Sequence, residues 1–281
     1  MNMITKIDEL RKWRNAVSGS VGFVPTMGGL HDGHLSLVKA SNDTCDNTIV
    51  SIYVNPAQFS PNEDLSNYPR DLQTDIEKLG KYSVDALFFP DDCQMYPNGF
   101  STSVSESQLS SKLEGKSRPT HFAGVTTIVS KLFNLVNPTH AFFGKKDAQQ
   151  LRVIQKMVTD LNFDINIIPY DIVRETNGLA MSSRNKYLSS EERRRAGIIN
   201  EALTKARELL NQGEQSTEEV KLFISDKILS EPLSKIDYVS IADHVTLDEV
   251  SGLVQSDVLV SVAIFFAKVR LIDNFEFMIR D

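Results

Sequence analysis

The chain has 281 residues, 41% of them hydrophobic and 24% charged, which excludes a disordered or collagen-like chain and suits one large globular domain or two modest ones. A net charge of -7 and a pI near 5.3 argue against a nucleic-acid partner, which calls for a basic face, although a local phosphate pocket needs only a few positive groups. The longest apolar run, Val258 to Ala267, stops at Lys268 and is too short to span a bilayer, so no membrane partner is expected. The amphipathic, charged start has no apolar stretch suited to secretion. Cys45 and Cys93 form no CxxC and have no Cys/His cluster around them, so buried reduced thiols and a cytoplasmic setting are expected.

In chain order, Ile4, Ile7, Leu10 and Trp13 form one stripe and predict a helix over residues 4–16. A short buried strand is expected at 20–26, a helix at 34–45 and a β-branched strand at 47–55. A helical pattern covers 70–81, and a buried strand covers 84–90. A helix follows at 121–138, ending at Pro138. Then come a strand at 140–144, a helix at 146–161 and a strand at 163–173. This alternation of helices with apolar, non-alternating strands predicts an α/β fold with a parallel sheet covered on both faces. Beyond residue 175 the texture changes. A mobile-looking loop leads to a long helix capped by Ser189 and Glu192, a second helix follows Gln215, and strands are expected at 235–243 and 256–274, the last part a possible hairpin. The expected domains are therefore 1–175, Rossmann-like, and 176–281, smaller and α+β.

Polar, glycine-rich segments fall at the carboxyl ends of the expected strands, where such sheets bind ligands. Met27-Gly28-Gly29-Leu30-His31-Asp32-Gly33-His34 joins a strand to a helix. Its glycines allow close backbone approach, and the helix start offers N–H groups to phosphate. His31 and His34 can share a face; plain capping, packing or a zinc pair are the competing readings, and no third zinc ligand is evident. In Gly144-Lys145-Lys146-Asp147 a lysine can meet phosphate, Asp147 can cap the helix, and Gln150 lies on the same face. Met181, Ser182, Ser183 and Arg184 can grip polyphosphate or form a plain surface loop. Asn55 and Gln58 follow a strand, while Arg118 and His121 precede a helix; turns or rim salt bridges would explain them equally.

Together, VPTMGGLHDGH, YVNPAQF, NEDLSNYPRDL, RPTHFAGV, FGKKDAQQL and MSSRN resemble the pantoate–β-alanine ligase family. HxGH alone marks only a wide nucleotidyl-transferring superfamily; the later segments narrow it. The resemblance implies ATP- and Mg²⁺-dependent condensation of pantoate with β-alanine through pantoyl adenylate, on a Rossmann-like domain with a C-terminal lid, in a homodimer. It implies ATP contacts from Met27 to His34, at Gly144, Lys145, Lys146, Asp147 and Val173, and at Met181, Ser182, Ser183 and Arg184. His34, Lys146, His31 and Arg184 would be catalytic. Asn55, Gln58, Gln150 and Arg118 would serve pantoate or β-alanine, and Asp75 would help place Mg²⁺. Another HxGH enzyme, such as a cytidylyltransferase, would leave the two glutamine segments unexplained. A nucleotide-binding module without catalysis would be favoured by loss of His34, Lys146 or the MSSR loop, and all are present.

Overall fold

The computed structural model describes residues 1–60 and 65–279, so Asn62, Glu63 and Asp64 of the NEDLSNYPRDL segment lie outside the described residues. The chain divides into two compact units, Met1–Lys145 with Gln150–Asp171, and Lys146–Gln149 with Ile172–Asp281.

The first unit is built from β1 (Asn2–Ile4), α1 (Ile7–Ala16), β2 (Val21–Thr26), α2 (Asp32–Thr44), β3 (Asn47–Ile52), α3 (Leu72–Leu79) and β4 (Ala86–Phe88). There follow the short α4 (Asp92–Met95) and α5 (Glu114–Ser117), then α6 (His121–Val136), β5 (His140–Gly144), α7 (Ala148–Asp160) and β6 (Asn166–Tyr170). Six strands form one sheet in the order β1-β4-β3-β2-β5-β6, and all neighbours are parallel. The strands are apolar on both faces because both are covered. Phe23, Ile49, Phe88 and Phe143 pack with Leu10, Phe133 and Ile154 of α1, α6 and α7. The intervening Val24, Val50, Leu87 and Phe142 pack with Leu35 and Val38 of α2 and Leu79 of α3. From β2 the chain runs out to β3 and β4, then returns to β5 on the other side of β2. The carboxyl ends of β2 and β5 therefore flank the switch point where open sheets of this kind bind ligands.

Local pattern misplaced several ends. Ile4 belongs to β1, paired with Phe88, and the first helix begins at Ile7; three edge residues are too few to show a period. The strand expected to reach Asn55 stops at Ile52, and Pro56 opens a 3-10 turn, Pro56–Gln58. The helix expected from 146 starts at Ala148, after a 3-10 turn at Lys145–Asp147 that contains Asp147. Cys93 is exposed on α4 and Cys45 is half-buried, so neither thiol is the fully buried one expected.

In the second unit, α8 (Ser190–Arg195) opens with the expected capping box. The Glu192 N–H donates to Ser189 Oγ at 3.3 Å, and the Ser189 N–H donates to the Glu192 carboxylate at 2.7 Å. The expected single long helix is broken before α9 (Ile198–Asn211). Asn177 Nδ2 donates to the carbonyls of Arg193 and Arg194, at 2.8 and 3.1 Å, taking acceptors that a continuing helix would use. A Cβ on Gly197 would lie 2.6 Å from the Asn177 carbonyl, so only glycine fits that approach. Then come α10 (Thr217–Leu229) and an antiparallel sheet, β7 (Ser234–Asp243), β8 (Val258–Phe266) and β9 (Val269–Phe277). The last two strands form the hairpin. Val258, Val260, Val262 and Ile264 of β8 pack with Ile199, Leu203 and Ile224 in a separate core. No helix among the described residues is long and apolar enough to cross a membrane.

Candidate active site

The glycine turn after β2 is held from outside itself. Gly28 and Gly29 have φ of 81° and 63°, a region that side-chain-bearing residues adopt only at a cost. Their neighbours' amides are claimed by Asp75, a buried carboxylate on α3. Its two oxygens accept from the N–H groups of Gly29 and Leu30, both at 2.8 Å. One turn on, Lys78 Nζ donates to the Leu30 carbonyl at 2.6 Å. His31 is the residue before α2, Asp32 is its exposed first residue, and the His31 and His34 rings lie 4.0 Å apart, tilted by 33°. Two imidazoles thus stand together at a helix start, where ring N–H groups and the dipole both favour an anion.

A second cluster lies beyond β3, around Gln58. The backbone carbonyl of Gln58 is 2.9 Å from His121 Nδ1 and 3.3 Å from Arg118 Nη2, and Arg118 Nη1 is 3.3 Å from His121 Nε2. A carbonyl only accepts, so Nδ1 carries the proton, and Nε2 then accepts from the guanidinium. The Gln58 side chain is buried, and its Oε1 accepts from Asn55 Nδ2 at 3.0 Å. Gly124 on α6 lets the helix reach this turn, since a Cβ there would overlap the Ala57 carbonyl. The structure thus joins Asn55, Gln58, Arg118 and His121, four residues from two distant segments. Gln150 is half-buried in the first turn of α7.

Gly144 ends β5, opposite Tyr170. Lys145, expected among the ATP contacts, has its ammonium 2.8 Å from Asp171 at an exposed position. Lys146 differs: its side chain is 18% exposed, and Nζ lies 3.6 Å from the Asp147 carboxylate. In the second unit, the Met181 N–H donates to the Val173 carbonyl at 2.9 Å, and Arg174 bridges Ala180. Ser182 Oγ accepts from the Arg184 N–H at 3.3 Å and opens a 3-10 turn, Ser183–Tyr187. Ser183 is buried and Asn185 Nδ2 donates to Glu175 and to the Ala180 carbonyl, so this segment is a folded turn rather than a loose loop.

Sequence reasoning missed four contributors. Lys78 has no motif signal. Tyr96 donates from its hydroxyl to Asn55 Oδ1 at 2.7 Å. On β9, Asn274 Nδ2 donates to the Lys146 carbonyl at 2.8 Å, and Asp273 receives Arg174 through both oxygens, at 2.6 and 3.0 Å. The expected strand over 256–274 contained Asp273 and Asn274 only as polar breaks in an apolar run.

The family model described as pantoate-beta-alanine ligase matches residues 2–276. A pantothenate synthetase of Thermosipho africanus is 50% identical over 277 residues, covering 98% of this chain and 99% of that protein. One from Clostridium botulinum is 48% identical over 281 residues, covering 99% of each. Among solved structures, the Thermus thermophilus pantothenate synthetase has a TM-score of 0.92 at 43% identity, covering 98% of this chain and 99% of that one. A Francisella tularensis pantoate-beta-alanine ligase, complexed with beta-gamma ATP and beta-alanine, has a TM-score of 0.79 at 36% identity and covers 98% and 97%. With the glycine turn, the Gln58 cluster and a match from end to end, this chain belongs to the pantoate–β-alanine ligase family.

Proposed function

We propose that this chain condenses pantoate with β-alanine, using ATP, through a pantoyl adenylate. The observation that carries the reading is the placement of two unlike clusters on neighbouring parallel strands. β2 delivers the two histidines and a helix start suited to phosphate, and β3 delivers a pinned amide suited to a carboxylate or hydroxyl. A cytidylyltransferase has no use for the second cluster.

A pantoate carboxylate is already ionised at neutral pH, so adenylation needs no general base. Its oxygen attacks the α-phosphorus of ATP and pyrophosphate leaves. The barrier is the approach of one anion to another, so positioning and positive charge lower it. We assign that charge to Lys146, Arg184, the ring N–H groups of His31 and His34, and the α2 N-terminus. Met27 to Gly33, Gly144, Asp147, Val173, Met181, Ser182 and Ser183 would shape the nucleotide site. Gln58 and Gln150 would hold pantoate, with Asn55 and Arg118 supporting Gln58. The amine of β-alanine then attacks the acyl carbon, the amide forms, AMP leaves and the nitrogen sheds a proton. Residues 176–281 would act as the lid that keeps water from the adenylate.

Mg²⁺ dehydrates reluctantly and is commonly held by one or two carboxylates plus substrate phosphates. Among the described residues no group of three or more His, Cys, Asp or Glu side chains is placed to hold a metal. Asp75, the α3 carboxylate bonded to the glycine turn, would face it, and the ion would supply charge neutralisation of the phosphates. We further assign the protein to the cytoplasm and to a homodimer, as the resemblance implies. The decisive experiment is ATP–pyrophosphate exchange without β-alanine. Exchange should depend on pantoate, and exchange that ignores pantoate or prefers CTP would overturn the assignment.

A further inference from the structure

Gln58 is held at almost every polar atom. Its N–H faces the Asn55 carbonyl at 3.4 Å, its carbonyl takes His121 and Arg118, and its side-chain Oε1 takes Asn55. Only the Nε2 amino group has no partner among the described residues. Whether that group or the oxygen faces outward depends on Asn55, because a carboxamide can flip.

Asn55 has no freedom to flip. Its Nδ2 donates to the Gly124 carbonyl at 3.1 Å and to Gln58 Oε1 at 3.0 Å. Its Oδ1 accepts from the Ala57 N–H at 3.3 Å and from the Tyr96 hydroxyl at 2.7 Å. A backbone carbonyl only accepts and a backbone N–H only donates, so these two contacts alone set which end of Asn55 is which. Reversing the amide would oppose donor to donor at Ala57 and acceptor to acceptor at Gly124. With all four of its bonding positions occupied within the chain, Asn55 acts on Gln58 rather than on substrate.

Tyr96 completes the chain. Its ring packs edge-on against Phe100, centroids 5.0 Å apart, and lies near Tyr53 at 6.4 Å. Burial, and then the nearby Asp92 carboxylate, push its phenol up to about 12, so the hydroxyl keeps its proton at neutral pH. Tyr53 points elsewhere, donating to Asp92 at 2.8 Å.

We propose that Tyr96 is a positioning residue for the acyl substrate: the backbone contacts set which way the Asn55 amide points, the Tyr96 hydroxyl holds that amide in place, Asn55 Nδ2 holds the Gln58 oxygen inward, and Gln58 thereby presents a donor-only group that receives an acceptor oxygen of pantoate. This rests on the pantoate–β-alanine ligase reading and adds to it a polarity for Gln58 and a residue that steadies it. The Nε2 group offers two N–H donors and no acceptor, which matches a carboxylate or a hydroxyl oxygen lone pair and rejects a substrate group that can only donate.

The test compares Tyr96→Phe and Tyr53→Phe with the parent chain in ATP–pyrophosphate exchange at varied pantoate and at varied ATP. Each change removes one hydroxyl and keeps the ring. Loss of one buried hydrogen bond to Asn55 should raise the KM for pantoate roughly tenfold in Tyr96→Phe. The KM for ATP should stay within about twofold, as a single neutral bond away from the nucleotide turn allows. Tyr53→Phe should leave both values near those of the parent, and thermal melting of both variants reports folding. A pantoate KM unchanged in folded Tyr96→Phe, or pantoate and ATP shifts of equal size, would overturn the positioning role. If the parent chain itself shows no pantoate-dependent exchange, the underlying reading fails instead.

Discussion

Lys145 and Lys146 are neighbours of the same type with different surroundings. Lys145 is paired with the exposed Asp171, an interaction worth little in water. Lys146 is mostly covered, and its backbone is tied to Asn274. Adjacent residues at a helix start point about 100° apart, so the two ammonium groups cannot serve one phosphate equally. Lys146→Ala should lower single-turnover adenylation by roughly 100-fold or more, as removal of a preorganised charge stabiliser does. Lys145→Ala should change it by only about two- to threefold, the scale of a surface ion pair. The opposite ranking would show that the whole 144–150 segment is read in the wrong register.

Among the elements, α3 is the one whose role the structure changes most. Spaced one turn apart, Asp75 and Lys78 present one acceptor and one donor to the glycine turn, gripping two N–H groups and one carbonyl across more than forty residues of chain. A turn with two left-handed glycines would otherwise be free to rearrange, and this grip pays for its shape. Asp75→Ala removes two charge-assisted bonds and leaves the Gly29 and Leu30 amides exposed to the cost of burial without a partner. The expected loss is about 3 kcal/mol in urea unfolding, with a raised KM for ATP. A shifted Mg²⁺ dependence with stability intact would instead make Asp75 a metal ligand first.

Across the whole molecule, each unit is closed by contacts between residues far apart in sequence. In the second unit the Arg174–Asp273 pair is the clearest case. The Asp273 side chain is 2% exposed, Arg174 is 27% exposed, and the guanidinium also reaches the Gly178 carbonyl at 3.0 Å. This fork fastens the 173–184 segment to β9. Asp273→Ala should cost about 3 kcal/mol, because it strands a partly buried charge, and it should raise the KM for ATP through the MSSR turn. Asp273→Asn, which keeps one acceptor, should lose less on both measures. Equal melting temperatures for the parent and Asp273→Ala would show that the fork contributes nothing to this unit.

The alternation of helices and apolar strands, the Ser189 capping box, the β8–β9 hairpin and the glycine turn were legible because each depends on residues close in sequence, where period and turn chemistry act directly. The motifs around Gln58 and Lys146 were legible as residue types at strand ends. Their partners were not. Nothing near Asn55 in sequence shows that Tyr96 and Gly124 bond its amide, and nothing near Asp75 shows that its oxygens accept the Gly29 and Leu30 N–H groups. The long helix after Ser189 looks continuous until Asn177 takes its carbonyls. A polar side chain's capacity is finite, and which donors and acceptors use it is settled only when distant segments pack together. Sequence by itself therefore determined the fold class and the kinds of group at the site, while tertiary structure decided which donors and acceptors those groups share within the chain.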